Sequence, residues 1–222
     1  MVQPRAAIFD LDGTLVDSAH LHHESWRQLC LELGLPPMTE ADFFACFGQA
    51  NRTIIPDLLG RPTDAAEVER LSARKEALYR AVAVRELTLF PGAMELLLGL
   101  AADGWRLAIG SSTPRANMDA LVPALGLTDL LQATVAMEDV TAHKPEPDVF
   151  LECARRLGVP PARCLVFEDA PAGVLAGMAA GMATIGVLTH HPAADLVGAV
   201  AWVEGLWEVS PPACEGWLAL AG

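Results

Sequence analysis

Basic residues are scarce in this chain of 222 residues, with 15 Lys and Arg against 28 Asp and Glu and a formal net charge of −13. An acidic surface of this kind disfavours nucleic acid and anionic membranes as partners, because both carry negative charge. It also makes an anionic substrate awkward to bind. A phosphate site in this chain would need local positive potential from a metal ion, a lysine and backbone amides.

Cysteine is also sparse, and its spacing gives no metal-binding pattern. The cysteines are odd in number and widely separated, and no pair has the spacing of metal ligands. They are Cys30, Cys46, Cys153, Cys164 and Cys214. We expect them to be small buried hydrophobic residues in a reducing compartment. The first residues contain one Arg and then a strand pattern, which is not the pattern of a signal peptide.

Long hydrophobic runs are absent as well. The longest stretch without a charge, Ala170 to Thr189, is rich in Gly and Ala and divides at Gly181 into a helix and a strand. It is therefore predicted to be part of an α/β core and not a membrane span. Hydrophobic residues still make up 52% of the chain, which is enough for a sizeable core. These observations together predict a cytoplasmic protein.

Apolar patterning predicts alternating strands and helices in most of the chain. The predicted strands are Arg5–Phe9, Arg106–Gly110, Ala133–Ala136, Cys164–Phe167 and Met182–Val187, and the predicted helices are Ala93–Ala102, Pro114–Leu125, Pro147–Leu157 and Pro171–Ala180. Such alternation is typical of parallel strands joined by right-handed crossovers, with helices on both faces. In the tail, a helix is predicted near Ala193–Val197, and Trp202, Trp207 and Trp217 are expected to pack against the edge of the sheet.

The block from about Ser18 to Arg85 differs, because it contains helical patterns and no convincing strand. The expected features are a helix over Ser18–Leu33, a short helix from Thr39, a loop-to-helix junction over Gly48–Arg52, and a long helix capped by Thr63 or Asp64 that reaches roughly Val84. The simplest organisation is a sheet domain, residues 1–17 and 86–222, with an all-helical insert, residues 18–85.

Two carboxylates, Asp10 and Asp12, follow directly after the first predicted strand. They are costly to bury unless something binds them, and a metal cation would do so. The pair also suggests one nucleophile and one proton carrier. Gly13 allows a sharp turn, so that both can face the opening beyond the carboxyl end of the strand, where open α/β sheets bind ligands. Asp12-Gly13 alone would equally suit an ordinary turn.

Polar residues also follow the second predicted strand. Pro114 suits the first position of the next helix and Thr113 suits its N-cap, which leaves Ser111 and Ser112 without a structural task. A hydroxyl and nearby amides at this edge can bind a phosphate oxygen. Serines also simply populate loops. The position beside the Asp10 turn favours phosphate binding for Ser111.

Lys144 and two further acids complete the pattern. A lysine at a helix N-terminus is mismatched with the helix dipole, unless its ammonium turns inward to Asp10 and a phosphate; the alternative is a solvated surface lysine. Glu168 and Asp169 follow the strand Cys164–Phe167 directly. Asp169 suits an N-cap, yet two acids at the end of a hydrophobic strand repeat the problem seen at Asp10. A shared Mg²⁺ solves both, since Mg²⁺ prefers hard oxygen ligands.

These segments resemble, in order, the four motifs of the haloacid dehalogenase superfamily of hydrolases. They are Asp-Leu-Asp-Gly-Thr-Leu-Val-Asp from Asp10, Ser111 at the end of the second strand, Lys-Pro-Glu-Pro-Asp from Lys144, and Glu-Asp-Ala-Pro-Ala-Gly from Glu168. The third motif has the form found in the β-phosphoglucomutase-like branch, and the resemblance extends to about Val187. It implies an α/β fold in which a helical cap is inserted into a Rossmann-like, doubly wound parallel sheet.

The resemblance also implies roles for individual residues. Asp10 would attack phosphorus, and Asp12 would be the general acid and base. Dehalogenases of the superfamily lack this second Asp, so Asp12 favours phosphoryl transfer. The role of Glu168 is left open between two alternatives, which are binding of the metal through a water molecule and orientation of Lys144. The expected catalytic residues are Asp10, Asp12, Ser111 and Lys144, and the expected Mg²⁺ ligands are Asp10, Asp12 through its backbone carbonyl, Asp169 and Glu168.

Substrate contacts are expected from the helical insert. His22 and Lys75 resemble residues of β-phosphoglucomutases, although His20 and His23 leave open which histidine faces the site. Those mutases also carry an Arg in the loop near Gly48, where this chain has Asn51-Arg52. The expected substrate-binding residues are Ser112, Asn51, Arg52, His22 and Lys75.

The difference between this chain and the mutases in the loop near Gly48 favours a phosphatase over a mutase. The sequence thus predicts a Mg²⁺-dependent phosphatase that acts on a small phosphorylated metabolite, such as a sugar phosphate, through an aspartyl phosphate. A β-phosphoglucomutase-type phosphomutase is the alternative. A non-catalytic phosphometabolite-binding protein is disfavoured by the intact set of Asp10, Asp12, Lys144 and Asp169. The sequence leaves the oligomeric state open.

Overall fold

The structure, a computed structural model, describes residues 4–46, 49 and 51–220. The chain divides into two compact units, one formed by residues 1–17 with 88–222 and the other by residues 18–87. We call the first the sheet unit and the second the helical unit. The division at Leu87 falls one residue after the end of a long helix. The boundary predicted from the sequence lies two residues earlier, at Arg85.

The helices and strands have the following bounds. The strands are β1 (Ala6–Phe9), β2 (Arg106–Gly110), β3 (Ala133–Val135), β4 (Cys164–Glu168), β5 (Ala183–Val187) and β6 (Ala201–Val203). The helices are α1 (Ala19–Glu32), α2 (Glu40–Cys46), α3 (Asn51–Leu59), α4 (Ala65–Glu86), α5 (Ala93–Ala102), α6 (Arg115–Ala124), α7 (Asp148–Leu157), α8 (Pro171–Ala179) and α9 (Pro211–Leu220).

Among the described residues, the sheet unit holds one parallel sheet of six strands in the order β3-β2-β1-β4-β5-β6. The chain starts in the middle at β1, adds β2 and β3 on one side, and then adds the remaining strands on the other. The side chains of β1 and β4 are buried on both faces, which is why these strands read as continuous apolar runs. The predicted Rossmann-like, doubly wound α/β fold is therefore confirmed.

Helices cover both faces of this sheet. α7 and α8 share one core with the central strands, in which Phe150 and Cys153 pack against Ile8 and Val166. α5 packs on β2 and α9 on β4, and these two helices also contact each other. Successive side chains of a strand point to opposite faces, so helices on both faces cover the side chains of the strands. The ends of the strands are then the exposed part of the sheet.

The tail departs from the prediction. Residues Ala193–Val197 form turns and not a helix, with the Asp195 N–H donating to the Pro192 carbonyl at 2.9 Å. The stretch lies between Pro192 and Gly198, which leaves it too short to repay the cost of helix nucleation. Beyond it lie β6 and α9, neither of which was predicted. β6 is three residues long, which is too short to show the alternation of apolar and polar residues that identifies a strand.

The tryptophans of the tail lie in three different elements. Trp202 belongs to the edge strand β6 itself and is 46% exposed. Trp207 lies in a short 3₁₀ turn and is 56% exposed, and Trp217 lies in α9. The expectation of packing against the sheet edge therefore does not describe them as a group.

The helical unit has its own apolar core, to which α1 to α4 all contribute, with Trp26, Phe43, Ile55 and Leu71 among its buried members. The Asp64 carboxylate accepts a hydrogen bond from the Glu67 N–H at 2.8 Å, which makes Asp64 the N-cap of α4.

The expected junction over residues 48–52 falls partly outside the described residues, which exclude Gly48 and Ala50. α3 begins immediately afterwards, at Asn51. Within the part of the chain that the structure describes, no helix has the length and apolar character needed to cross a membrane.

Candidate active site

The register of two central strands brings two acidic segments together. Phe9 of β1 lies opposite Phe167 of β4, and their rings stack with centroids 4.7 Å apart. The Asp10 N–H continues the ladder and donates to the Phe167 carbonyl at 3.0 Å. Asp10 and Glu168 thus end neighbouring parallel strands at the same edge, and Asp169 follows. All three are buried, at 6%, 1% and 6% exposure.

Lys144 lies between two of these carboxylates. Its ammonium nitrogen is 2.6 Å from Oδ1 of Asp10 and 2.6 Å from Oε1 of Glu168. Burial acts to lower the pKa of Lys144, but the two carboxylates outweigh it and raise that pKa above its ordinary value. Lys144 is therefore a fixed positive charge, although it stands just before α7, where the helix dipole alone would repel it.

The Lys144 ammonium carries one positive charge, whereas three carboxylates lie at this edge of the sheet. Burial raises the pKa of Asp10, and the charges of Glu168 and Asp169 raise it further, while Lys144 acts in the opposite direction. The pKa of Glu168 is raised in the same way, first by burial and then by Asp169. If all three carboxylates were ionised, their charge would exceed that of the Lys144 ammonium by two.

That excess fits a divalent cation in both charge and chemistry, because carboxylate oxygens are the hard ligands that Mg²⁺ prefers. The side chains are not preassembled around a metal position, however. Among the residues that the structure describes, no group of three or more His, Cys, Asp or Glu is arranged so that it could hold a metal ion. Lys144 contacts Asp10 and Glu168 directly, and the Asp169 oxygens contact Thr14 and His190.

The turn after Asp12 is packed tightly against Asp169. Gly13 has a φ of +88°, and a Cβ added there would lie 2.1 Å from Oδ2 of Asp169. The Thr14 hydroxyl donates to Oδ1 of Asp169 at 3.3 Å. The Gly13 carbonyl accepts a hydrogen bond of 2.5 Å from the Thr189 hydroxyl. The backbone that follows Asp12 and the Asp169 carboxylate therefore form one compact assembly.

A Gly13→Ala substitution is expected to destabilise the protein more than Gly104→Ala does. Both glycines have positive φ, at +88° and +79°, but a Cβ at Gly104 meets nothing within 4 Å. Gly104→Ala should therefore cost only the backbone strain, about 1–2 kcal/mol. Gly13→Ala carries the same strain together with a clash at Asp169.

Urea unfolding of the two variants measures this difference, and phosphate release should fall in Gly13→Ala alone. Equal losses of stability in the two variants would show that the approach of Gly13 to Asp169 has no energetic consequence.

The second predicted motif is arranged differently from the expectation. α6 begins at Arg115 and not at Pro114, and its first N–H donates to the Glu138 carboxylate at 2.7 Å. Thr113 is thus not the N-cap. Its hydroxyl donates instead to Oδ2 of Asp12 at 2.5 Å, and it accepts a hydrogen bond of 3.1 Å from Ser111 Oγ. Ser111 is buried, whereas Ser112 is exposed.

Two site residues that the sequence analysis missed follow β5. Thr189 holds the Gly13 carbonyl, and Nδ1 of His190 lies 3.1 Å from Oδ2 of Asp169. The hydrogen bond with Asp169 raises the pKa of His190, against the lowering effect of burial. The signal was available in the sequence, because Thr189-His190 are polar residues that begin one residue beyond the end of a predicted strand.

In the helical unit, a buried polar cluster contains three of the predicted substrate-binding residues. Lys75 is 3% exposed, and its ammonium lies 2.7 Å from Nδ1 of His22 and 3.0 Å from Oε1 of Glu76. The Asn51 amide donates to the same Glu76 oxygen at 3.1 Å. The ring of His22 stacks on Tyr79, with centroids 3.9 Å apart.

The remaining candidates of this unit lie elsewhere. His20 and Arg52 are exposed, and Nε2 of His23 lies 3.0 Å from the Met38 carbonyl. Of the three neighbouring histidines, His22 is thus the one that contacts Lys75. Glu76 was not predicted as a member of this cluster, because an acid beside a lysine on a long helix gives no sign of being buried.

Comparisons with known proteins agree with this geometry. The sequence pattern of the haloacid dehalogenase-like hydrolases matches residues 7–187. Validoxylamine A 7′-phosphate phosphatase of Streptomyces hygroscopicus is 31% identical, over 94% of this chain and 97% of its own length. A β-phosphoglucomutase of Bacillus subtilis is 32% identical, over 87% and 88%. A hydrolase of the same family from Entamoeba histolytica superposes with a TM-score of 0.89 at 23% identity, over 97% and 99%.

Proposed function

Because the chain belongs to the haloacid dehalogenase-like hydrolases, we propose that it is a phosphatase in which Asp10 takes the phosphoryl group of a small phosphorylated metabolite. The observation that carries this proposal is the bridge of Lys144 between Asp10 and Glu168, at 2.6 Å to each. A buried ammonium in contact with the nucleophile supplies the positive charge that an anionic phosphate needs. A metabolite phosphate also suits an acidic protein that would repel larger polyanions.

Asp10 is the proposed nucleophile. Its backbone is fixed by the β1–β4 ladder, and its carboxylate is fixed by Lys144. Attack by a carboxylate oxygen on phosphorus would expel the alcohol of the substrate and leave an aspartyl phosphate. Lys144 would hold Asp10 ionised before attack, and it would then face the phosphoryl oxygens as their charge develops.

Asp12 is the proposed general acid and base. It would protonate the leaving oxygen of the substrate and then accept a proton from the water that hydrolyses the aspartyl phosphate. Its place two residues after Asp10, beyond the end of β1, supports this division of roles. Ser111 is buried at the end of the neighbouring strand β2, and we propose that its hydroxyl turns from Thr113 to a phosphoryl oxygen when substrate binds.

Asp10, Asp169 and the Asp12 carbonyl are the groups that we propose would hold Mg²⁺, with Glu168 acting mainly on Lys144. When bound, Mg²⁺ would neutralise charge on the phosphoryl oxygens. The direct contacts of Glu168 with Lys144 and with the Ala170 N–H, at 2.6 and 2.9 Å, support its assignment as an orienting residue.

The buried cluster of the helical unit supports a phosphatase over a phosphomutase. We propose that His22, Lys75, Asn51 and Glu76 contact the hydroxyl groups of the substrate. The Lys75 charge is already paired with Glu76 at 3.0 Å, so it is poorly suited to bind the second phosphate of a bisphosphate. The likeness to a β-phosphoglucomutase keeps the mutase as the second candidate.

A panel of sugar and polyol monophosphates, assayed with Mg²⁺, tests the proposal. Released phosphate and isomerised product should be scored separately, with and without a bisphosphate primer. We expect release of phosphate from at least one monophosphate without a primer, and loss of that activity when EDTA removes divalent cations.

Isomerisation that requires the primer, with little free phosphate, would support the mutase instead. Binding of monophosphates without either product would overturn both enzymatic functions. Activity that persists at full rate in EDTA would contradict the proposed metal ligands while leaving Asp10 in place.

A further inference from the structure

The hydroxyl of Thr113 belongs to a short hydrogen-bonded chain that ends on Asp12. Ser111 Oγ donates to Thr113 Oγ1 at 3.1 Å, and Thr113 Oγ1 donates to Asp12 Oδ2 at 2.5 Å. A threonine hydroxyl has one hydrogen, so its direction is set by the group to which it donates. We propose that Thr113 is a positioning residue, which holds the Asp12 carboxyl in the orientation needed for proton transfer to the leaving group. This inference rests on the proposed function.

The backbone around Thr113 is fixed independently of Asp12. The Thr113 carbonyl accepts a hydrogen bond from the Met137 N–H at 3.0 Å, and its own N–H donates to Ser111 Oγ at 3.3 Å. The Ser111 N–H in turn donates to the Val135 carbonyl at 3.0 Å. Thr113 is thus tied to strand β3 and to the turn after it, and it is 7% exposed. Its hydroxyl is a rigid reference point for a carboxylate on a different strand.

A purely structural role for this hydroxyl is the competing explanation, and the sequence favoured it. A Thr before a helix usually caps the first turn. Here α6 starts at Arg115, after Pro114, and its first N–H donates to the Glu138 carboxylate and not to Thr113. The hydroxyl is therefore directed away from the helix and toward Asp12.

Positioning of a general acid can be separated from general damage by the leaving group of the substrate. An alkyl phosphate needs its leaving oxygen protonated, whereas p-nitrophenolate leaves readily without a proton. A misaligned Asp12 should therefore slow only the alkyl phosphate. The appropriate quantity is kcat/KM, because it reports the step in which the leaving group departs.

The test compares Thr113→Val, which keeps the shape and removes the hydroxyl, with Thr113→Ser, which keeps the hydroxyl. The substrates are p-nitrophenyl phosphate and the sugar monophosphate that the wild type hydrolyses best. For Thr113→Val we expect kcat/KM to fall about 10- to 100-fold with the sugar phosphate and by less than about threefold with p-nitrophenyl phosphate. Thr113→Ser should restore most of the loss. Thr113→Ala serves as a second variant, and the ratio of the two substrates within one sample cancels any inactive fraction.

An equal loss with both substrates, or no loss with the sugar phosphate, would overturn the positioning role. A higher kcat/KM with the sugar phosphate in Thr113→Val would also overturn the positioning role, since the hydrogen bond would then hinder proton transfer by Asp12. Failure of the proposed function itself is recognised separately, because the wild type would then release phosphate from neither substrate.

Discussion

Replacing Asp10 by Asn is expected to lower kcat for phosphate release by about 10⁴-fold or more, because the amide cannot attack phosphorus. The fold should survive the change. Burial raises the pKa of Asp10 and disfavours its charge, so a neutral side chain of the same shape suits the position. Lys144 keeps its second partner, Glu168, at 2.6 Å. The measurement is steady-state phosphate release, together with thermal unfolding of the same sample.

Asp129→Asn is the matched control for this variant. Asp129 is an exposed acid that lies in none of the four motifs and outside the proposed machinery. It should keep nearly all of the activity. Phosphate release that continues undiminished in Asp10→Asn would remove Asp10 from the role of nucleophile.

Replacing Lys144 by Met is expected to lower the free energy of unfolding by about 3–5 kcal/mol near neutral pH, because it leaves buried carboxylates without their cation. The side chains of Lys144, Asp10 and Glu168 are 9%, 9% and 2% exposed, so solvent can compensate little of this cost. Activity should be lost as well. Urea unfolding in EDTA measures the effect on the protein alone.

The pH dependence of this loss has a definite sign. Burial already raises the pKa of Asp10 and Glu168 in the folded state, and removal of Lys144 raises it further. The folded variant then binds more protons than the unfolded chain does, so its free energy of unfolding falls as pH rises. The difference from the wild type should thus be small near pH ~4, the ordinary range of carboxyl groups, and should grow toward neutral pH.

Arg155→Met is the control for the Lys144 variant. Arg155 also pairs with an acid, Glu152 at 2.6 Å, but its side chain is 71% exposed. An exposed pair of this kind contributes little to stability. The decrease in the free energy of unfolding should therefore be much smaller for Arg155→Met than for Lys144→Met. A pH-independent loss in Lys144→Met would show that Lys144 acts by packing and not by its charge.

The sequence sufficed for the first five strands of the sheet and for its acidic edge. β1, β2 and β4 are short apolar runs ended by Gly or an acid, and parallel strands place their carboxyl ends at one edge. That rule alone predicts that Asp10, Glu168 and Asp169 lie near one another. The observed register, with Phe9 opposite Phe167, adds the detail that Asp10 and Glu168 are direct neighbours.

The sequence does not predict side-chain contacts that change when a helix begins one residue earlier or later. Thr113 reads as a helix cap, but the helix starts one residue later than predicted, and the hydroxyl is then available to Asp12. Helix ends are set by hydrogen bonds of the last turns, which local propensity describes poorly. Glu76 is a second example, because its burial depends on Asn51 and Lys75 and not on its own neighbours in sequence.

The most direct test of the account is to locate the phosphoryl group during the first turnover. Wild-type enzyme is mixed with excess sugar monophosphate and Mg²⁺, quenched in acid at a series of times, and mapped by peptide mass spectrometry. The account predicts the mass of one phosphoryl group on the Asp10 carboxylate, and none in Asp10→Asn. A phosphoryl group on any other side chain, or none at any time while free phosphate is formed, would contradict it.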